Sequence, residues 1–455
     1  MTDHYDLCVI GGGAAGLVTA GGAAQLGART LLIEQHRMGG ECLWNGCVPS
    51  KALLHMASLA RLRGGMVWAD AKAHVDGAVA TIAPHDSPER FRAFGVEVLL
   101  ARAVFTGRDS IEADGRRITA RRFVIATGSA PMVPPVPGLA DVPFLTNETI
   151  FDLDALPLEL LIMGGGAIGT ELAQAFARLG SKVTIVERDR LLANSDAEAA
   201  ALVRTSLEAD GVTILEHSEV ARVEPGITLH LNSGTTLTGT HLLVAAGRAA
   251  RVDGYGLDRA GVTADRKGIV MDKFLRTSNP RIFAIGDCRN GPRFTHASDQ
   301  DARAVIANAL FPRPLWRKST YAALPSVVYT DPELAHVGLT EAQARHKHHD
   351  VEVHRAELDH NDRAVTEGVT TGFVKLIARG NRVLGATLVG PQAGELLPLA
   401  RLAVTGKIGL SDIAAQTIAY PTLADSLRQA ADAAGQAKLF TPTVRRITRL
   451  LQRLP

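Results

Sequence analysis

Short, nearly all-apolar runs recur along the first half of the chain, each followed at once by small residues or an acid. Tyr5-Asp6-Leu7-Cys8-Val9-Ile10 leads into Gly11-Gly12-Gly13-Ala14-Ala15-Gly16, and Thr30-Leu31-Leu32-Ile33 ends at Glu34. Leu160-Leu161-Ile162-Met163 leads into Gly164-Gly165-Gly166-Ala167-Ile168-Gly169, and Lys182-Val183-Thr184-Ile185-Val186 ends at Glu187. Runs of this length and composition predict strands buried on both faces, and the small-residue stretches between them predict tightly packed helices. Residues 52–105 read as helices with polar connections, broken at Pro84 and Ser87-Pro88. Short strands follow, with a hairpin-like turn at Asp114-Gly115, then the strand Arg122–Ile125 running into Ala126-Thr127-Gly128-Ser129. The proline-rich run 131–138 predicts a crossing between domains. His241-Leu242-Leu243-Val244-Ala245-Ala246-Gly247-Arg248 mirrors the strand that ends at Thr127-Gly128, and Arg281–Ile285 ends at Gly286-Asp287. From about Tyr329, strand-like runs near 351–353, 372–377 and 383–389 precede helices at 394–405 and 423–434, which predicts an α+β unit.

Strand, tight glycine turn, helix, strand and terminal acid is the context in which a GxGxxG sequence binds a dinucleotide. Here it occurs twice, with Glu34 and Glu187 at the same offset from Gly11 and Gly164. Gly11 makes the turn, Gly13 admits a pyrophosphate to the backbone, Gly16 allows close helix packing, and the helix N-terminus attracts the phosphate. Glu34 would accept from a ribose hydroxyl. Two such motifs predict two dinucleotides. The chemistry between them suggests a flavin at the first and a nicotinamide at the second.

That chemistry lies in Gly39-Gly40-Glu41-Cys42-Leu43-Trp44-Asn45-Gly46-Cys47-Val48-Pro49-Ser50-Lys51. Pro49 suits the first turn of a helix, so Cys47 would stand at the positive helix end, where a thiol's pKa falls. The loop could let Cys42 fold back onto Cys47 as a disulfide; the plainer alternative is two small buried hydrophobes at a helix start. Cys8, inside the first strand, and Cys288, with no cysteine close by, read as structural.

Length and charge set wider limits. A chain of 455 residues with 46% hydrophobic content suggests two to four domains, and a net charge of +2 gives no reason to expect a nucleic-acid partner. Four cysteines do not make a secreted disulfide framework; a close pair in a cysteine-poor chain suggests redox work in a reducing, cytoplasmic compartment. No signal-like or spanning apolar run is expected to act as a leader or anchor. No metal site is expected: Arg345-His346-Lys347-His348-His349-Asp350 reads as a solvated helix end.

Together these motifs resemble the FAD-dependent pyridine nucleotide–disulfide oxidoreductases of the two-cysteine type, from residue 5 to about 434. The resemblance implies an α/β fold with two Rossmann-like domains for FAD and NAD(P) and a C-terminal α+β dimerisation domain. The expected boundaries are 1–147 for FAD, 148–270 for NAD(P), 271–328 for a central domain returning to FAD, and 329–442 for an obligate homodimer interface. It implies FAD binding by Gly11, Gly13, Gly16, Glu34, Gly40, Cys42, Lys51, Thr127, Gly128, Gly286 and Asp287. Gly164, Gly166, Gly169, Glu187 and Gly247 would bind the nicotinamide nucleotide, and Lys51 would pair with Glu171 near it. The implied relay runs from NAD(P)H through FAD to a Cys42–Cys47 disulfide, with Cys47 the flavin-facing thiolate and Cys42 the interchange thiol. Glu187 favours NAD(H), since a carboxylate repels a 2′-phosphate, although Arg188 and Arg190 lie close by.

Departures from the family pattern bear on the acceptor. Disulfide-reducing relatives carry a His before Pro-Thr and a Glu five residues later, acting on the partner subunit's interchange thiol. Tyr420 and Asp425 occupy those positions here, and a phenol is a poor base at neutral pH. This argues against efficient dihydrolipoyl dehydrogenase or glutathione reductase chemistry. Mercuric reductases also have a Tyr in this region, but this chain has no cysteine after Cys288 to match their C-terminal pair. The expected activity is therefore electron transfer to a small thiol-reactive, disulfide or metal-ion acceptor. Alternatives are a mercuric-reductase-like enzyme, a dihydrolipoyl dehydrogenase with altered acid–base chemistry, or a non-enzymatic redox sensor or scaffold. Glu41 stands where Thr is common and would raise the pKa of Cys42 if charged; Trp44 stands where Asn is common and could narrow access or pack against the flavin domain, packing being the preferred reading. Residues 443–455 form a basic amphipathic segment, with Val444, Ile447, Leu451 and Leu454 on one face. Packing on its own dimer is the simpler role, and weak contact with a membrane surface or partner the alternative.

Overall fold

The computed structural model describes residues 3–453. The chain divides into two compact units. The first runs to Gly164 and adds Arg178–Val186 and Glu219–Tyr321; the second holds Gly165–Ala177, Glu187–Ser218 and the chain from Ala322 onward.

In the first unit, Asp3–Ile10 is the centre of a seven-stranded sheet. It runs parallel to Thr30–Glu34 on one side and to Arg116–Ile125 on the other. Successive residues of these strands point into two different cores. Cys8, Ile10, Leu31, Ile33, Phe123 and Ile125 enter one; Leu7, Val9, Leu32 and Val124 enter the other. Burial on both faces is why these strands are continuously apolar instead of alternating. Ile282–Ala284 joins the same sheet beside Arg116–Ile125, which brings Gly286-Asp287 to the carboxyl end of the strands. Cys8 and Cys288 are fully buried, as structural thiols should be.

The hairpin forms as expected: Asp114 (φ 52°) and Gly115 (φ 68°) join Ser110–Ala113 to Arg116–Ile125, both in the left-handed conformation a two-residue hairpin turn favours. One expectation fails. Residues 52–105 are helical only as far as Ala93, through helices Cys47–Arg63, Trp68–Ile82 and Pro88–Ala93. Val96–Leu100 is instead a strand parallel to Thr30–Glu34. Its alternation of buried Val96 and Val98 with exposed Glu97 is the two-residue period of a strand, too short to stand out beside three helices.

Glu159–Met163 lies between Lys182–Val186 and His241–Val244, parallel to both, repeating the pattern of the first strand. In the second unit, five antiparallel strands follow the spatial order Pro325–Val328, Glu333–Gly338, Arg382–Gly390, Phe373–Arg379, Glu352–Glu357. Leu397, Ala400 and Ala403 of helix Ala393–Val404, and Leu427, Ala430 and Ala431 of helix Asp425–Leu439, share a core with that sheet. This is the α+β arrangement its order of strands and helices implies. No helix among the described residues is long and apolar enough to cross a membrane.

Candidate functional site

The first glycine turn is shaped by steric exclusion. Gly11 has φ +110°, and a Cβ there would lie 2.3 Å from the Ala126 carbonyl oxygen. A Cβ on Gly16 would lie 1.8 Å from the Gly11 carbonyl oxygen, so helix Ala14–Gln25 sits directly against the turn. Gly13 differs: its absent side chain would meet only the Gly40 Cα, at 3.7 Å. The turn is therefore closed behind and open in front, the shape that lets a phosphate approach backbone N–H groups. Gly12 N donates to Glu34 Oε2 at 2.6 Å, and His36 N donates to Oε1 at 2.8 Å. Each carboxylate oxygen has a further lone pair for a ribose hydroxyl.

The second turn reproduces this geometry. Gly164 has φ +114°, with the Ala245 carbonyl 2.5 Å from where a Cβ would be; Gly166 has open space. Gly165 N donates to Glu187 Oε2 at 2.5 Å and Asp189 N to Oε1 at 2.8 Å. Gly169 is buried in helix Ala167–Arg178. The two arginines near Glu187 behave differently from each other. Arg190 Nη2 donates to the carbonyls of Ala193 and Ser195, both at 2.9 Å, which folds its guanidinium onto its own loop, whereas Arg188 is exposed.

The cysteine loop packs on the first turn, for a Cβ on Gly40 would fall 2.5 Å from the Gly13 Cα. A short helix, Gly40–Trp44, carries Cys42, and a second helix begins at Cys47, with Pro49 in its first turn. Cys47 thus occupies the positive helix end. Both cysteines are thiols here, Cys42 half-buried and Cys47 exposed. The Cys42 thiol is held well above its ordinary range, first by its hydrogen bond to Cys47, then by burial and by the charge of Cys47; a hydrogen bond from Thr295 acts in the opposite sense. Thr295 Oγ1 is also 3.4 Å from Cys47 Sγ. Thr295 heads helix Thr295–Leu310, and nothing local in the sequence marks it as a neighbour of the sulfurs.

Glu41 does not act on Cys42 as expected. Its carboxylate is held by a two-pronged ion pair with Arg248 and by Asn147 Nδ2 at 2.5 Å, and it is not among the causes of the Cys42 shift. Arg248 Nε donates to Ser129 Oγ at 2.9 Å, and Ser129 Oγ donates to Asp287 Oδ2 at 2.8 Å. This chain of contacts ties the cysteine loop to Asp287. Trp44 packs, as anticipated: Nε1 donates to the Met38 carbonyl at 2.8 Å, and the Arg37 guanidinium lies 4.0 Å from its ring centroid.

The other expected positions have defined surroundings. Thr127 Oγ1 donates to the Arg251 carbonyl at 2.7 Å, while Gly128 (φ +73°) faces open space. Gly247 (φ +128°) accepts from Met132 N at 2.9 Å. Gly286 N donates to Asp301 Oδ2 at 3.2 Å, and Asp301 is in turn held by the fully buried Arg289 at 2.5 Å and by the Tyr321 hydroxyl at 2.6 Å. Lys51 Nζ donates to Ser50 Oγ at 3.3 Å. Glu171, 5% exposed, accepts from Tyr329 N at 3.0 Å.

Tyr420 is 78% exposed, and its hydroxyl donates to Asp362 Oδ2 at 2.8 Å. That bond and the Asp362 charge raise the phenol's pKa further. Asp425, at the position of the family's Glu, is not the partner of this hydroxyl. Asp425 accepts from Arg428 Nε at 2.7 Å and Gln429 Nε2 at 3.0 Å, within its own helix. Asp362 lies 58 positions from Tyr420, so nothing local in the sequence pairs them. The Arg345–Asp350 run ends helix Glu341–Lys347, with Arg345 paired to Glu341 and Asp350 to Arg379. Among the described residues no three His, Cys, Asp or Glu side chains are grouped to hold a metal.

Comparison with known proteins places this geometry. Residues 5–302 match the family model for pyridine nucleotide–disulphide oxidoreductases, and residues 324–431 match the dimerisation domain of the same family. A mercuric reductase of Lysinibacillus sphaericus is 33% identical over 452 residues, covering 94% of this chain and 82% of that protein. A dihydrolipoyl dehydrogenase of Thermus scotoductus is 35% identical, covering 94% and 97% respectively. The solved structure of the HOCl-induced flavoprotein disulfide reductase RclA from Escherichia coli superposes with a TM-score of 0.87 at 30% identity, covering 94% of this chain and 99% of that one.

Proposed function

The chain belongs to the pyridine nucleotide–disulphide oxidoreductase family, and from that premise we propose an NADH-preferring reductase whose Cys42 serves a small, thiol-reactive acceptor. As a member of that family it is an FAD-dependent oxidoreductase and a homodimer. Bound FAD supplies two-electron exchange between a nicotinamide and a disulfide. The open faces of Gly13 and Gly128, with Glu34 at the strand end, fit that cofactor; Gly11, Gly16, Gly40, Gly286 and Asp287 complete its assigned contacts. Lys51 is assigned beside it by family position. A reducing, cytoplasmic setting suits a working dithiol.

The observation that carries the reading is the placement of the pair: Cys42 lies on the short helix just before Cys47, and Cys47 begins the long helix beside Thr295. The hydrogen bond to Cys47 and burial raise the Cys42 pKa, while the positive end of the helix that Cys47 begins favours a thiolate there. When Cys42 bonds an acceptor, its proton has a place to go within the pair. The reaction then needs no external base, which matches a position where Tyr420 is hydrogen-bonded to Asp362 and poorly suited to accept a proton. Acceptors that react with a thiol directly, including soft metal ions, meet this requirement better than thiol–disulfide pairs that need a His. The mercuric reductases among the relatives make Hg(II) the first ion to test.

The test is anaerobic titration with NADH and NADPH, then turnover with lipoamide, glutathione disulfide and Hg(II). Turnover with lipoamide or glutathione disulfide exceeding that with thiol-reactive acceptors would overturn the choice of acceptor. Tyr420→Phe is expected to change kcat by less than about threefold with the best acceptor, whereas loss of an essential acid or base costs on the order of a hundredfold or more. The comparison is made by steady-state kinetics at pH 7 and pH 9.

Nucleotide preference follows from Glu187. Its oxygens are oriented by Gly165 and Asp189, and Arg190 is engaged with its own loop. Glu187→Ala is expected to lower the NADH/NADPH ratio of kcat/KM by about tenfold, the loss of one ribose hydrogen bond and one phosphate repulsion. An unchanged ratio would remove Glu187 from that role.

A further inference from the structure

The geometry points to an anionic membrane surface as the docking partner of the C-terminal helix Pro442–Leu451. Thr441 caps the helix by accepting from Val444 N, and Pro442 stands in its first turn, so its start is well defined. Ile447, Leu450 and Leu451 are 51%, 65% and 57% exposed, and none of the helix's residues is buried. At 100° per residue, these three and Val444 fall on one face, while Arg445, Arg446 and Arg449 fall on the opposite side, and Arg453 follows just past the helix end. Leu439 and Phe440, 60% and 65% exposed, extend the apolar surface towards the helix start. Leu454, assigned to the same face from sequence, lies outside the described residues.

Charge decides between possible occupants. After Asp432 the sequence contains no acid, but it contains Lys438 and the four arginines. Self-association through this helix would bring two sets of four arginines together with no local carboxylate to offset them. The match to the family's dimerisation domain also ends at residue 431, before the helix begins. An anionic bilayer offers what the segment lacks: negative headgroups for the arginines and an acyl boundary for the apolar face. A dimer presents two such helices, so weak single contacts add through avidity.

The test is co-sedimentation of the full-length FAD-loaded dimer with phosphatidylcholine vesicles, with and without phosphatidylglycerol. Binding is expected only to the anionic vesicles and is expected to weaken with salt. The double variant Arg445→Gln, Arg449→Gln is expected to weaken it by about tenfold or more, from roughly 1 kcal/mol lost per arginine. Ile447→Asp is expected to abolish it while flavin reduction by NADH is unchanged. Equal sedimentation by a chain ending at Phe440, or binding that ignores phosphatidylglycerol, would overturn the proposal. So would dissociation of the dimer by Ile447→Asp in light scattering, since the face would then be covered by a second copy.

Discussion

Replacing Cys42 by serine is expected to lower turnover of any thiol-reactive acceptor by on the order of a thousandfold or more, while NADH still reduces the flavin. The two cysteines do different work. Cys47 stands at the start of a seventeen-residue helix, and Cys42 donates to it from the short helix before. A serine at 42 keeps the hydrogen bond but cannot form a bond that exchanges electrons. Stopped-flow reduction beside steady-state turnover separates the two steps. Undiminished turnover in Cys42→Ser would mean that electrons leave without using the pair.

The same arrangement fixes a pH dependence. The Cys42 pKa is raised because ionising it would give up a hydrogen bond and place a second negative charge beside Cys47. The neutral thiol is therefore favoured through neutral pH, and the reactive thiolate appears only as pH rises above the ordinary thiol range. Iodoacetamide should label Cys42 slowly at pH 7, faster in alkali. In Cys47→Ala the hydrogen bond and the neighbouring charge are both gone, so the labelling profile of Cys42 should move to lower pH. Peptide mapping across a pH series reads both profiles. Identical profiles would contradict the assigned cause.

Gly16→Ala should be strongly damaging. A methyl there would sit 1.8 Å from the Gly11 carbonyl oxygen, a backbone atom that cannot rotate aside. Helix Ala14–Gln25 must move off the turn, at a cost typical of over-packing, about 1–3 kcal/mol, together with loss of FAD. Gly13→Ala provides the contrast. Its methyl would be 3.7 Å from its nearest neighbour, the Gly40 Cα, so the apoprotein should melt within a few degrees of wild type. The methyl nevertheless occupies the space a pyrophosphate needs, and flavin retention should fall by about a hundredfold. Absorbance at the flavin band and thermal melts of both variants make the comparison. Full flavin retention by Gly13→Ala would remove the first turn from the cofactor site.

Most of the fold was legible because its signals are local. The strand Asp3–Ile10 is apolar on both faces since it feeds two cores, and that shows as an unbroken run in sequence. The glycine turns were legible because Gly11, Gly16 and Gly164 answer to backbone atoms of the turn or a neighbouring segment, while Gly13 and Gly166 leave open the face a phosphate needs. Val96–Leu100 was not: five residues with two buried valines carry too little period to separate them from the helices before them. In the site, sequence placed the residues but not their partners. Glu41 meets Arg248 across 207 positions, and Thr295 meets Cys47 across 248. Tyr420 bonds Asp362 rather than the nearer Asp425, because Arg428 and Gln429, one turn along the same helix, already engage Asp425.

By itself the sequence determined two dinucleotide folds, a cysteine pair at a helix start, an α+β unit and an arginine-faced amphipathic tail. All of these follow from periodicity, glycine position and charge order, which act over a few turns of chain. The tertiary structure decided what raises the Cys42 pKa, what engages the Glu41 carboxylate, and what Tyr420 can do. Those depend on distances between side chains brought together by the fold, and an ionisable group's chemistry is set by its neighbours in space.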